Sequence, residues 1–526
     1  MAYKKNDTTE KNVFQVTFPL CPNQEEHDFL DKYFDASLMT EHHLTSRVLK
    51  RLANMERTRA WRNNEAAINT LYEKLKNKAI TKKQFNAEKK QLFEAKEDMI
   101  KKYGLDKDFI EADVATIKVY AGLVHSAVKQ KLSYRVSKSV NDYLWGNGKE
   151  VRYTSWKNFK SIEAKQNTRG IRLVDGQLLI GKYSIKVNFN KKDKYGYEEQ
   201  ALTHNIHYCG IKRRWYPSGW KYFVYVCFGG NAPVKYNKDT GEVLHPLGKG
   251  RVGNDIGPQT LATVGDNDIK LNVLAEDVQT PYDEIRRIQR KMDRSRRKMN
   301  PEFFNQETGE VIPVNKLDKS LLTKRGKRKW KVSNNYKRLE ARLRYLYMKI
   351  ALQREQAHHE LINQLVGFGD KFFIEEMNWK ALAKRRKEDK VNEKGKHTSK
   401  KRFGRSIANK APGKFVELYR RKVESLGGSF YEIDTRKAKA SQYNHMDHTY
   451  KKKSLSKRWN DMPNGDRIQR DIYSAFLIQC TNRKLDGFTR SALKRKYEKF
   501  KAMHDQEIQR LSFKVMPSSV GVKKAG

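Results

Sequence analysis

The sequence predicts a multidomain α/β protein, and three observations predict it. At 526 residues the chain is longer than one ordinary hydrophobic core can organise. Its texture changes twice. A helical block gives way near residue 151 to an aromatic, alternating β-rich stretch, and near residue 250 strands and helices begin to alternate. An isolated alternating run precedes the helical block, so that block reads as an insertion into a β domain.

The isolated run is 13-VFQVTFPL-20, a short strand. From residue 25 to 144, apolar residues recur at three- and four-residue steps with basic residues between them. Within this block, 68–104 reads as a helical hairpin in which Thr81 caps the second helix and Gly104 ends it. A third helical pattern covers 112–146. Between 168 and 234, GIRLVDGQLLIGKYSIKVNFN and HNIHYCGIKRRWYPSGWKYFVYVCFGG are short alternating runs broken by Gly, Asn and Pro, which suits a small barrel or sheet.

After the linker 235–250, 251-RVGNDIG and 260-TLATVGDNDIKLNVLAED fit two or three meandering strands. Very basic helices follow over 283–300 and 335–367, with a loop between them. Then 371-KFFIEEMN-378 is an apolar strand ending in two glutamates. The polar, mostly basic stretch 384–403 is expected to be mobile or ordered only by a partner. A helix over 412–428, a strand over 429–435 and a helix over 467–480 complete the pattern.

The chain carries 109 basic against 61 acidic residues, a formal charge of +48. Such a charge opposes compaction unless a polyanion neutralises it, and nucleic acid is the usual polyanion. Four cysteines lie far apart with no CxxC, which argues against a disulfide framework or a zinc site and fits a reducing cytosol. No apolar run approaches the roughly 20 residues of a membrane span. The opening MAYKKNDTTEKN lacks a signal-peptide core, so a prokaryotic cytosolic location without membrane contact is expected.

Three acids interrupt apolar elements. Asp255 follows Val252 and Gly253 near a strand end, and Glu375 follows Phe372, Phe373 and Ile374 near another. Asp471 shares helical spacing with Ile468, Ala475 and Ile478 and so points toward the core. Strand ends of α/β sheets are where such folds carry their sites. Three buried carboxylates cannot all stay ionised without cations. Two Mg²⁺ ions roughly 3.5–4 Å apart would balance them and hydrolyse phosphodiesters, one activating water and the other steadying the leaving oxygen. Any one acid alone is more simply an arginine partner.

The order NDIG, FIEEMN, QRDIYSA resembles the RuvC-like nuclease of transposon-encoded TnpB proteins and the type V CRISPR effectors derived from them. The resemblance implies a RuvC-like RNase H-fold nuclease domain plus a β-barrel (OB-like) wedge domain with an inserted α-helical recognition domain. On that layout, 1–24 and 151–249 form the wedge and 25–150 the recognition domain. Residues 250–440 form the nuclease, 441–466 a ribbon-like nucleic-acid-loading loop, and 467–526 the final nuclease helix and C-terminal segment. The resemblance assigns catalysis and metal binding to Asp255, Glu375 and Asp471, with Glu376 the competitor for the second role. It implies Mg²⁺, for which Mn²⁺ substitutes, and an enzyme that cuts DNA under an RNA guide.

The partners implied are a guide RNA with a structured scaffold and double-stranded target DNA, recognised beside a short flanking motif. Basic residues expected to meet phosphates are Arg47, Lys50, Arg51, Arg57, Arg59 and Arg62 in the helical block, and Arg286, Arg287, Arg290 and Lys291 in the nuclease half. Trp61, Trp215, Tyr216 and Trp220 are candidates for base stacking or for core. The chain departs from the family between its second and third acids, where the usual cysteine pairs are missing. His445, Asp447 and His448 are read there as surface on a loop without zinc. Asn254 precedes the first acid in place of an apolar residue, and Tyr473 follows the third in place of Asn. Two alternatives stay open: a guide-directed repressor with a decayed nuclease, and a DNA nuclease or transposase that needs no RNA.

Overall fold

The computed structural model describes residues 12–190, 192–323, 326–385, 388, 391, 395, 403–454 and 456–522. The basic stretch 384–403 lies largely outside them. The chain divides into Met1–Pro233 and Val234–Gly526, a mixed α/β architecture with several sheets.

In the first unit β1 (Val13–Pro19) precedes five helices: α1 (Gln24–Glu56), α2 (Arg59–Lys76), α3 (Lys82–Lys102), α4 (Lys107–Ala115) and α5 (Ser126–Leu144). Each helix begins at a side chain that accepts a backbone N–H, namely Asn23, Thr58, Thr81, Asp106 and His125. The single helical pattern expected over 112–146 is two helices. The chain leaves α4 after Ala115, and Tyr120 and Ala121 adopt φ of 46° and 53°, a left-handed backbone that a continuous helix excludes.

Strands β2 (Ser161–Glu163), β3 (Ile171–Val174), β4 (Gln177–Ile180) and β5 (Tyr183–Lys186) follow, then α6 (Tyr197–Leu202), β6 (Ile206–Tyr216) and β7 (Gly219–Gly229). One sheet has the order β1-β7-β6-β2, and β3-β4-β5 form another. Strand β1 pairs antiparallel with β7, Val13 opposite Gly229 and Pro19 opposite Phe223. The five helices are therefore an excursion of the chain between two neighbouring strands. Phe18, Phe34, Phe159 and Phe228, all buried, lie in the core that α1 shares with this sheet.

The second unit opens with β8 (Arg251–Ile256), β9 (Thr260–Val264) and β10 (Ile269–Val273), followed by α7 (Tyr282–Met299) and α8 (Asn334–Leu365). Next come β11 (Lys371–Glu375), α9 (Trp379–Ala383), α10 (Gly404–Lys410), α11 (Pro412–Ser425), β12 (Ser429–Ile433) and α12 (Thr435–Ala438). A hairpin of β13 (Trp459–Asp461) and β14 (Arg467–Gln469) leads into α13 (Arg470–Gln479), and α14 (Arg490–Ser512) closes the unit. The main sheet has the order β10-β9-β8-β11-β12. Strands β8, β11 and β12 run parallel, and β9 alone opposes its neighbours.

Strand periodicity splits this sheet into two faces. Val252, Ile256, Phe372 and Ile374 pack with α8 and α11 residues such as Ile362, Phe415 and Tyr419. Ala262, Val264, Phe373 and Ile433 pack with Ile472, Ala475 and Phe476 of α13. The sheet is covered on both sides, as parallel strands require.

Candidate active site

Gly253 decides where α13 sits. A Cβ at this position would overlap the carbonyl oxygen of Ala475 and the amide nitrogen of Gln479, so the helix rests directly on the strand. Arg251, at the start of β8, donates from Nε to Gln479 O at 2.9 Å and from Nη2 to Thr481 O at 2.6 Å. Gln479 Nε2 returns a bond to Arg251 O at 3.0 Å. The C-terminal end of α13 is thus pinned to the start of β8, and its first turn reaches the other end of the strand.

Asp255 lies two residues beyond Gly253 and so on the same face, under α13. In the parallel register Phe373 pairs with Gly253 and Ile374 with Asn254. Continuing by one residue brings Glu375 beside Asp255 on the neighbouring strand. Asp471 occupies the first turn of α13, the positive end of its dipole. Here the helix expected over 467–480 is corrected. Residues 467–469 are strand β14, so Ile468 reaches the core from a strand, and Gln469 caps the helix by accepting from Ile472 N at 2.8 Å.

The electrostatics tie the three acids together. Burial raises the Asp255 carboxyl well above its ordinary range, and the charges of Asp471 and Glu375 raise it further. Arg470 and a nearby Ser474 hydroxyl oppose that rise without cancelling it. Burial pushes Glu375 up to about 7 against a bond from the Ala440 backbone. Asp471 is also raised by burial, opposed by Arg470, Gln469 and Arg458. All three residues nevertheless keep part of their surface accessible, which describes a dense recess rather than a closed interior. Ser474 Oγ is buried and, among the described residues, has no hydrogen-bond partner at standard geometry. Among the described residues, no group of three or more His, Cys, Asp or Glu side chains is drawn tightly enough around one point to hold an ion.

The two glutamates separate cleanly. Glu375 is half-buried with its carboxyl perturbed, whereas Glu376 is exposed and its carbonyl accepts from Thr435 Oγ1 at 2.9 Å. Asn254 points to the opposite face, fully buried. It donates to Phe373 O at 3.3 Å and accepts from Thr263 Oγ1 at 3.0 Å, which is how a polar residue is tolerated there.

His445 is not a surface residue. It is buried beside α13, its Nδ1 lies 2.8 Å from the Tyr473 hydroxyl, and burial lowers its pKa to about 4. Tyr473 therefore serves to anchor the loop before β13. His448 Nδ1 lies 3.0 Å from the Tyr443 hydroxyl, and Asp447 accepts from Thr449. The three side chains have separate partners.

The expected phosphate-binding residues divide into two groups. Lys50, Arg57, Arg59 and Arg62 are exposed, as are Arg286, Arg287, Arg290 and Lys291 along α7. Arg47 and Arg51 instead both pair with Asp113 of α4, and Arg51 also donates to Gly104 O at 2.8 Å. These two guanidinium groups hold α1 to α4, a role that sequence reading missed because Asp113 lies far along the chain. Asp113→Ala should lower the melting transition of the first unit by about 2–4 °C per kcal/mol lost. Differential scanning calorimetry against Lys50→Ala, which should change little, checks this.

Two of the four aromatic candidates are core. Trp61 and Trp220 are buried, and Trp220 stacks on the Arg213 guanidinium, which is itself wedged between Trp156 and Phe34. Trp215 and Tyr216 are half-buried. Among the described residues no helix is long and apolar enough to cross a membrane.

No protein-family model matches this chain, and no curated protein matches it. Among solved structures it is similar to a CRISPR-Cas12f ternary complex, at 12% identity over 89% of this chain and 86% of that one, with a TM-score of 0.24. It is also similar to a Cas12i–crRNA–dsDNA complex, at 11% identity over 93% of this chain and 66% of that one, with a TM-score of 0.22. At those scores the likeness is too slight to carry fold or function.

Proposed function

We infer that this chain is an RNA-guided DNA endonuclease with one RuvC-like site formed by Asp255, Glu375 and Asp471. The observation that supports it most is the set of three desolvated carboxylates, two on one sheet face and one on the helix that covers it, each raised in pKa, with Arg470 and Arg458 as modest compensation. Negative charge gathered this way is costly to folding and marks a site that uses it. Carboxylate oxygens suit Mg²⁺, and Mn²⁺ can substitute. The Ser474 hydroxyl, near enough to Asp255 to oppose the rise of its pKa, is a further oxygen beside it. Ionised, the three carboxylates repel one another, and cations bound among them would offset that repulsion.

Two Mg²⁺ ions bound there would activate water and stabilise charge on the leaving 3′ oxygen. The chain's own part is positional. Adjacent parallel strands hold Asp255 and Glu375 side by side, α13 aims Asp471 at them, and the packed recess limits water. The +48 charge, Lys50 of α1, Arg59 and Arg62 of α2, and the exposed arginines of α7 support a guide RNA and double-stranded DNA as partners. The interrupted β1-β7-β6-β2 sheet supports an OB-like wedge carrying a helical recognition domain.

The test uses the full chain. It should purify with RNA of defined length, and with a guide matched to a plasmid it should cut only when Mg²⁺ is present. Asp255→Ala should keep guide-dependent DNA binding and lose cutting. RNA-free protein that cuts unguided would make it an RNA-independent nuclease. Guided binding without cutting by the unaltered chain would make it a repressor.

A further inference from the structure

Helices α7, α8 and α10 enclose a recess of about 900 Å³ away from the three acids. Its lining includes Arg286, Arg354 and Arg405 together with Tyr282 and Tyr347, and among the described residues contains no carboxylate. Several of these groups are already held in position. Tyr282 carries the Arg405 guanidinium over its ring at 4.1 Å. Arg354 donates to Ala408 O at 2.7 Å, which fastens α10 to α8. Arg286 and Arg405 are exposed, and neither has an ion pair among the described residues. Tyr347 is 49% exposed, although Ile350 beside it is buried. A large tyrosine face left open next to unpaired arginines calls for a ligand that is flat and anionic at once.

We propose that this recess receives an unpaired nucleotide of a single-stranded segment, its base against Tyr347 and its phosphate between Arg286 and Arg405. The size selects for this. A duplex cannot enter a recess of this volume, whereas a splayed base can, and base–aromatic stacking is the usual means of holding one. The surroundings agree. Arg290 and Lys291 continue along the exposed side of α7 toward a second groove, of about 490 Å³, lined by Lys291, Arg294 and Lys298. Arg286 and Lys298 are roughly 18 Å apart along the helix at 1.5 Å per residue, enough for several successive phosphates. A strand anchored by one base in the recess would then run along α7.

The proposal deepens the nuclease reading by giving a displaced or unpaired strand a defined seat. The test measures binding of the full chain to a fluorescein-labelled ten-nucleotide thymidine strand and to the same strand with abasic sugars. Tyr347→Ala should weaken the thymidine strand about fivefold or more and leave the abasic strand unchanged. Arg286→Gln with Arg405→Gln should weaken both strands and flatten the salt dependence. Equal binding of both strands by the unaltered chain, or an unchanged preference in Tyr347→Ala, overturns the recess as a base site. That failure is separable from failure of the nuclease reading. Metal-dependent cutting lost in Asp255→Ala keeps the nuclease whatever the recess does, and a base preference lost in Tyr347→Ala keeps the recess whatever the acids do.

Discussion

Asp255→Asn should abolish cutting and, in metal-free protein above neutral pH, raise the melting temperature of the second unit. The two effects have one origin. Asp255 is desolvated and faces Asp471 and Glu375, so its ionisation is opposed by burial and by like charge. The amide removes that repulsion and with it an oxygen donor that the proposed metal ions would use. The sign of the pH dependence follows from the direction of the shifts. A carboxyl raised in the folded state adds stability below its unfolded pKa, and that stability is lost as pH rises through the folded value. For Glu375 the window runs from 4.5 to about 7. The melting difference between Glu375→Gln and the unaltered chain should therefore be small near pH 4 and grow through neutrality, on the order of 1–3 kcal/mol at its plateau. Mg²⁺ at about 100 times its Kd should restore roughly 2.7 kcal/mol to the unaltered chain and much less to Asp255→Asn. Thermal melts at several pH values with and without Mg²⁺ read all of this. A flat difference across pH 4–8 would mean that Glu375 is not held in a desolvated setting.

Gly253→Ala should be nearly as damaging, though it touches no charge. The added methyl would meet backbone atoms of Ala475 and Gln479, so no side chain can swing aside to make room. Either α13 lifts or β8 bends, and overpacking of this kind costs about 3 kcal/mol or more when the neighbour cannot yield. Lifting α13 also carries Asp471 away from Asp255, so cutting should fall further than stability accounts for. Ala475→Gly makes a useful control, because its methyl is not the obstacle and it should not rescue Gly253→Ala. A melting temperature unchanged by Gly253→Ala would contradict the seating of α13 on the strand.

What the sequence disclosed follows from the range of the interactions involved. Strands β8 and β11 and helices α7, α8 and α11 were legible because each rests on a local apolar pattern or a local cap. The Gln469 cap was not, because Ile468, Ala475 and Ile478 have helical spacing although Ile468 belongs to a strand. The break between α4 and α5 escaped because Tyr120 and Ala121 are not turn-forming residues, and only Gly122 beside them hints at it. The burial of His445 depends on Tyr473, and the use of Arg47 and Arg51 depends on Asp113. Such partners, remote in sequence, leave no periodic signal. The inward direction of Asp255 and Glu375 could be read from strand alternation, whereas their adjacency required the register between two strands separated by two long helices.

The pairing of β1 with β7 has a consequence for synthesis. Val13 must wait for Gly229, and at ribosomal speeds of about 5–20 residues per second the delay is roughly ten to forty seconds. Throughout it, the nascent β1 has no complete sheet to join, while the helices emerging behind it can already settle on local contacts. A chaperone that shields the emerging amino-terminal strand should therefore improve the yield of this protein more than one acting after release.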